Sequence, residues 1–69
     1  MSAHIYKIIE IVGTSEESSD QAVKNAIARA SNSVKNMRWA EIEQTRAHIE
    51  NNEIHHWQVV LKVGFTLSE

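Results

Sequence analysis

The chain has 69 residues, with seven Lys and Arg against nine Asp and Glu, and a formal net charge of −2. This length predicts a single domain over residues 1–69, and the interspersed charges provide no basic stripe for a nucleic-acid backbone. The lack of cysteine excludes disulfides and fits a reducing, cytoplasmic compartment, while the apolar runs are too short to cross a bilayer. A domain this small buries only about 60% of the surface of its unfolded chain, so we expect it to rely on an oligomer.

The first regular element is a strand over residues 5–12, a segment rich in β-branched side chains. Its apolar residues occupy both faces, so the strand needs cover on both sides. We expect Gly13-Thr14-Ser15 to end it. The two faces carry Ile5, Ile9 and Ile11 on one side and Tyr6, Ile8 and Val12 on the other.

A helix is predicted to follow, because Ser18 and Gln21 have the spacing of a capping box. Acidic residues around this start favour it through the helix dipole. Apolar residues then recur at helical spacing as far as Met37, which predicts a helix of roughly five turns with one apolar stripe. The stripe consists of Ala22, Val23, Ala26, Ile27, Ala30, Val34 and Met37.

Two further strands and a hairpin complete the pattern. Residues 39–49 form a polar strand pattern, and Asn51-Asn52 predicts a two-residue turn because Asn tolerates positive φ. From Trp57 onward, alternate residues are apolar and predict the core face against the helix stripe. The fold class is therefore α+β in the order β-α-β-β. The core-facing residues are Trp57, Val59, Leu61, Val63, Phe65 and Leu67.

The hairpin register determines which face carries Trp39. If Glu50 lies opposite Glu53, counting back along the strands places Trp39 opposite Gly64 and Thr45 opposite Gln58. Trp39 and Gln58 then share the face that points away from the helix. We expect another subunit to cover this face. The same face also receives Glu41, Glu43, Val60 and Lys62.

Trp39 and Gln58 are the leading candidates for a ligand site. An indole on an exposed sheet face is suited to stacking on a flat conjugated ligand. The alternative is a boundary tryptophan that seals the core or a subunit contact. The Gln58 amide offers both a donor and an acceptor, as the edge of a planar heterocycle requires. Its alternative is an ordinary solvated amide.

Other polar residues have weaker claims. Arg46 suits a phosphate or a carboxylate, although an ion pair between strands or between subunits is the favoured explanation of this residue. Lys62 is a weaker candidate for an anion contact. His48 and His55, opposite each other in the expected register, would form half a zinc site. Because His56 would point to the other face, we expect a solvated hairpin end and no metal site. No catalytic motif is recognisable, so no catalytic residue is expected.

Four segments, in this order and at this spacing, resemble the dodecin family of small flavin-binding proteins. The resemblance spans nearly the whole chain. The segments are Tyr6-Lys7 leading to Glu10–Ser15, the Ala-rich stretch Ala22–Ala30, Trp39-Ala40-Glu41, and Gln58–Phe65, which reads QVVLKVGF.

The resemblance implies a three-stranded antiparallel sheet wrapped around one long helix, in a hollow homododecamer. It implies paired flavins stacked between symmetry-related copies of Trp39, with Gln58 on the isoalloxazine edge and Arg46 on the phosphate of FMN. Riboflavin or FAD are alternative ligands, and some relatives bind coenzyme A. Thr66 stands where some bacterial relatives carry an arginine, so any contact of that arginine has no counterpart here.

The function that follows from the resemblance is flavin storage and photoprotection, without enzymatic activity. An indole in contact with an excited flavin is a good electron donor and would quench it. The alternatives are a structural oligomeric module without cofactor, in which Trp39 seals a subunit contact, and a small flavin-dependent enzyme.

Overall fold

The chain forms a strand, a helix and two further strands. The computed structural model describes residues 4–67, and the elements are β1 (Tyr6–Ser15), α1 (Ser19–Ala30), β2 (Met37–Glu50) and β3 (Glu53–Thr66). The strands form one antiparallel sheet in the order β1-β3-β2. This confirms the predicted β-α-β-β order, with a three-stranded antiparallel sheet and one helix. The expected domain also includes residues 1–3 and 68–69, which lie outside the described part.

The central strand β3 supplies the core. Val59, Leu61 and Val63 have no exposed surface, and they pack on Ala22 and Ala26 of α1. Full burial of a side chain of this size contributes roughly 1.5–3 kcal/mol to stability. The alternation predicted for β3 is therefore confirmed at these three residues, whereas Leu67, also predicted to face the core, lies beyond β3 and is 43% exposed. We call the face of the sheet that carries Val59, Leu61 and Val63 the inner face and the opposite one the outer face.

Gly13 lies inside β1, and the expectation that Gly13-Thr14-Ser15 ends the strand was wrong. Gly13 pairs with Val59, and the pairing of β1 with β3 continues to Ser15. A Cβ atom on Gly13 would overlap the carbonyl oxygen of Ala22 and would come within 2.7 Å of the Ala26 Cβ. Glycine is thus required here by the close approach of α1, and it does not mark a turn.

The helix is shorter than predicted. It spans 12 residues, about three turns, and Val34 and Met37 lie beyond it. Ser31 ends the helix with its hydroxyl donating to the Ala28 carbonyl at 2.7 Å, a competing bond typical of serine. Asn36 adopts a φ of 64° and redirects the chain into β2. None of the described residues form a helix long and apolar enough to cross a membrane.

The predicted helix start is partly confirmed. Ser18 is the N-cap residue, and its hydroxyl accepts a hydrogen bond from the Gln21 backbone N–H at 3.0 Å. The Gln21 side chain does not complete the capping box. Its amide donates instead to the Asn25 side chain at 2.9 Å, and Asn25 in turn donates to the Thr14 carbonyl. These bonds tie the first turns of α1 to the end of β1.

The β2–β3 hairpin extends beyond the helix. Asn51 and Asn52 have φ values of 53° and 62°, and Glu50 pairs with Glu53, which confirms the two-residue turn. Because α1 packs mainly on β1 and β3, the inner side of the hairpin lacks cover within the protomer. Three isoleucines there are about half exposed: Ile42 at 48%, Ile49 at 57% and Ile54 at 52%.

The close approach at Gly13 generates a stability prediction. Gly13→Ala should force α1 away from the sheet, because the new methyl group meets helix backbone that cannot rotate aside. Overpacking of this kind costs about 1–3 kcal/mol, so the midpoint of urea denaturation should fall clearly. Gly64→Ala, which adds the same methyl group on the outer face, is the matched control and should cost less. Equal stability of Gly13→Ala and the parent protein would contradict the packing described.

Candidate functional site

The outer face carries large apolar side chains that the protomer leaves exposed. Tyr6, Ile8 and Val12 of β1 are 48%, 54% and 55% exposed, and Trp39 of β2 is 42% exposed. The second apolar side of β1, which was expected to need cover, is thus uncovered within the protomer. By the pairing of the strands, this face also receives Glu10, Thr14, Glu41, Gln44, Arg46, His48, His56, Gln58, Val60, Lys62 and Thr66.

Trp39 lies across Gly64, its cross-strand partner. The predicted pairing of Trp39 with Gly64 is confirmed. A Cβ atom on Gly64 would overlap the six-membered ring of the Trp39 indole, so this glycine provides the space that the ring occupies. On the other side of β3, Tyr6 meets the indole edge to face, with ring centroids 5.2 Å apart at 64°. The indole is therefore supported by the sheet from below and by Tyr6 from the side.

A bulge in β2 changes which residue faces Gln58. Glu43 is an extra residue between Ile42, which pairs with Leu61, and Gln44, which pairs with Val60. The predicted pairing of Thr45 with Gln58 was therefore wrong. Thr45 pairs with Val59 on the inner face, and Arg46 lies opposite Gln58. The extra residue reverses the face on which each later side chain of β2 lies. This reversal brings Arg46 to the outer face.

Arg46 and Gln58 form the polar end of the site. The Arg46 Nε donates to Gln58 Oε1 at 2.8 Å, and its Nη1 donates to Gln44 Oε1 at 3.0 Å. The Gln58 Nε2 lies 3.2 Å from the His56 Nε2. Both groups of the Gln58 amide thus have partners within the protomer. Each retains hydrogen-bonding capacity, because the amide oxygen has a second lone pair and the amide nitrogen a second hydrogen.

A charged row separates the indole from this polar end. Glu10, Lys62 and Glu41 lie side by side across the three strands. The Lys62 ammonium is 3.7 Å from the carboxylate of Glu43, the bulged residue. Both side chains are exposed, and such pairs contribute little to stability. Lys62 is therefore already paired with a carboxylate, which weakens its candidacy as an anion contact.

The histidines cluster at the hairpin end, but not in the predicted pairs. A second bulge lies in β3, where His55 is the extra residue, so His48 pairs with His56 and not with His55. The rings of His48 and His56 stack with centroids 4.8 Å apart, and the His55 and His56 Nδ1 atoms are 2.7 Å apart. The Glu50 carboxylate lies 3.2 Å from His48 Nε2 and 4.0 Å from His55 Nε2. Among residues 4–67, no group of three or more His, Asp or Glu side chains is arranged to hold a metal ion.

The two tryptophans have different surroundings. Trp57 pairs with Ser15 and Ala47 on the inner face and is half-buried. Trp39 lies on the outer face in the same sheet as Gln58 and Arg46. The structure thus brings the three predicted site residues to one face, with Gln58 and Arg46 in direct contact. Sequence reasoning missed the support from Tyr6 and the contact of His56 with Gln58. Tyr6 could have been found, since its face was already assigned by alternation.

The fold defines a small α+β protein with an exposed aromatic and apolar surface on one side of its three-stranded sheet. Comparison of the sequence and the fold with those of known proteins identifies the family. The dodecin family model matches residues 5–68. The structure of dodecin from Streptomyces coelicolor is 49% identical in sequence, covers 100% of this chain and 99% of that one, and superposes with a TM-score of 0.94.

Two further relatives are also dodecins. Dodecin of Thermus thermophilus is 42% identical over 65 residues, which cover 94% of each chain. A calcium dodecin of Mycobacterium tuberculosis is 32% identical over 63 residues, which cover 91% of this chain and 89% of the relative. The chain belongs to the dodecin family, whose members are small oligomeric binding proteins.

The contact between Gly64 and Trp39 can be tested. Gly64→Ala should displace the indole, because its far edge can rotate away from the new methyl group while the sheet stays paired. In a Trp57→Phe background, we expect a shifted tryptophan emission maximum and an altered near-UV circular dichroism signal from the Tyr6–Trp39 pair. Unchanged far-UV circular dichroism is the control for the fold. An unchanged indole signal would show that Gly64 does not define the ring position.

Proposed function

We propose that this protein binds and stores a flavin, with the isoalloxazine ring stacked on Trp39. The observation that carries this proposal is the Trp39 indole, which lies across Gly64 on the outer face with 42% of its surface exposed. A planar aromatic ligand can use that exposed surface for stacking, which is worth about 0.5–1.5 kcal/mol beyond area burial for an aromatic pair. Membership of the dodecin family supports the same ligand class.

Gln58 and Arg46 supply the polar contacts in this proposal. The edge of an isoalloxazine ring alternates acceptors and a donor, and a carboxamide can pair with both. Arg46 uses two of its donors on Gln58 and Gln44, which orients the guanidinium and leaves further N–H groups for an anion. A guanidinium matches phosphate geometry, so FMN is the preferred flavin over riboflavin. FAD, which carries a larger adenosine diphosphate group in place of the single phosphate, is the less suitable alternative.

The proposed site is completed by a second copy of the chain. One side of the indole is taken by Gly64, so a protomer offers a flavin only one stacking surface. A neighbouring Trp39, related by two-fold symmetry, would cover the opposite side of a flavin pair. The half-exposed isoleucines of the hairpin provide a further apolar surface for subunit contacts. We propose a homododecamer, the assembly that the family resemblance implies.

Storage and photoprotection are the proposed roles of this binding. An indole in van der Waals contact with an excited flavin donates an electron and quenches the excitation before reactive species form. The outer face offers stacking and hydrogen-bonding groups, which hold a ligand and do not transform it. We propose a cytoplasmic location on the sequence argument alone, since a chain without cysteine needs no oxidising compartment.

A structural module without cofactor is the second candidate. The observation that favours it is the apolar character of the outer face, where Tyr6, Ile8 and Val12 are about half exposed beside Trp39. A second subunit that simply packed on this face would bury the same residues. Under this alternative Trp39 stabilises the assembly and binds no ligand.

Titration of flavin fluorescence distinguishes the two candidates. FMN emission should be strongly quenched on addition of the apoprotein, and Trp39→Ala should weaken binding at least ten-fold because each site loses its stacking surfaces. Trp57→Phe is the matched control, since Trp57 lies on the inner face, and it should bind FMN like the parent protein. Lack of quenching by the parent, together with loss of assembly mass in Trp39→Ala on size exclusion, would favour the structural module. Equal binding of FMN by Trp39→Ala and the parent would refute stacking on Trp39.

The role of Arg46 is tested by comparing two ligands. Arg46→Met should weaken the binding of FMN more than that of riboflavin, because only FMN carries the phosphate. The loss common to both ligands measures the support that Arg46 gives to Gln58. The additional loss for FMN, expected to be about ten-fold for one charge-assisted contact, measures the phosphate interaction. Equal losses for the two ligands would remove Arg46 from the phosphate site.

A further inference from the structure

A continuous series of polar contacts joins the Glu50 carboxylate to the proposed flavin site. It runs from Glu50 to His55 at 4.0 Å, from His55 to His56 at 2.7 Å, and from His56 to Gln58 at 3.2 Å. It ends at Arg46, which donates to the Gln58 oxygen at 2.8 Å. The bulge at His55 creates this series, because it lets two consecutive histidines approach each other.

One assignment of protons satisfies every contact in the series. The Gln58 oxygen must accept from Arg46, since a guanidinium is only a donor, so the Gln58 amide nitrogen faces His56 Nε2 as a donor. His56 Nε2 is then an acceptor, and the proton of a neutral His56 lies on Nδ1. From there it is donated to His55 Nδ1, which leaves the His55 proton on Nε2, facing Glu50.

We propose that His56 is a positioning residue that fixes the orientation of the Gln58 carboxamide and thereby makes flavin affinity depend on pH. This inference rests on the proposed flavin function. A protonated His56 carries hydrogen on both ring nitrogens, so its Nε2 would face the Gln58 amide nitrogen donor to donor. If the carboxamide rotated to offer its oxygen to His56, its nitrogen would face the Arg46 donor. Neither orientation satisfies both neighbours.

Acid should therefore weaken flavin binding. The bound form requires neutral His56, so affinity is fully present above the titration range of imidazole and is lost as the pH falls through it. By linkage, flavin binding in turn opposes protonation of His56.

Several titratable and charged groups surround His56. From β2, His48 stacks on the ring and Glu50 contacts both His48 and His55. From the end of β1, a shallow cleft beside His56 is lined by Thr14, Ser15 and Glu16. Arg46 approaches through Gln58.

The test measures riboflavin binding by fluorescence quenching from about pH 7.5 to about pH 5.5, the range that brackets imidazole titration. Riboflavin is the probe because it lacks the phosphate of FMN, which titrates in the same range. If binding requires one histidine to lose its proton, the dissociation constant should rise roughly ten-fold as the pH falls over this interval. His56→Gln, which keeps a side-chain acceptor and removes the titration, should bind with an affinity that is nearly independent of pH.

His48→Gln is the matched control, because His48 belongs to the same cluster but its ring nitrogen faces Glu50 and not Gln58. This variant should retain the pH response of the parent protein. The proposal is overturned if the parent binds riboflavin equally at both pH values, if His56→Gln responds like the parent, or if His48→Gln loses the response. It is also overturned if loss of binding coincides with loss of assembly mass, since the subunit contacts would then be responsible. A parent protein that fails to bind at any pH would refute the flavin function itself.

Discussion

The alternation of side chains along β3 is the constraint on which the rest of the structure depends. This strand lies between β1 and β2, so its backbone is bonded on both edges. Val59, Leu61 and Val63 point to the inner face and are fully buried, while Gln58, Val60 and Lys62 point to the outer face. A slip of one residue would exchange the two sets and expose the core. Burial of the three apolar side chains therefore also holds Gln58 at the candidate site.

Two bulges on opposite strands then adjust the candidate site without disturbing its ends. Glu43 adds a residue to β2, and His55 adds one to β3. Their effects on register cancel, so the turn at Asn51-Asn52 and the pairing of Trp39 with Gly64 are the same as in a hairpin without bulges. Between the bulges the register is shifted by one. That shift brings Arg46 beside Gln58 and His48 beside His56. The polar end of the site is a product of these two irregularities.

Uncovered apolar surface on both faces connects the fold to its family. The outer face exposes Trp39 and its β1 neighbours, and the inner side of the hairpin exposes three isoleucines. A chain of 69 residues cannot cover both faces of a long hairpin with a single helix of 12 residues. Membership of an oligomeric family fits this geometry. In our proposal, the exposed indole of Trp39 serves both ligand binding and subunit contact.

The sequence alone determined the order of elements, the core stripe of β3 and the hairpin turn. These features depend on periodicity and on the tolerance of Asn for positive φ, which are local properties. Counting back from the turn also predicted the pairing of Trp39 with Gly64 correctly, but only because the shifts at the two bulges cancel. The predicted helix was too long because Val34 and Met37 continue its apolar spacing beyond the C-cap residue Ser31.

Only the tertiary structure decided where the register shifts, because no residue type marks Glu43 or His55 as a bulge in advance. Those shifts assigned Arg46 to Gln58, paired His48 with His56 and moved Thr45 to the inner face. The tertiary structure likewise decided that Gly13 accommodates the helix and Gly64 the indole. The physical reason is common to all of these features. Each depends on contacts between residues far apart in the chain, and a local pattern does not contain them.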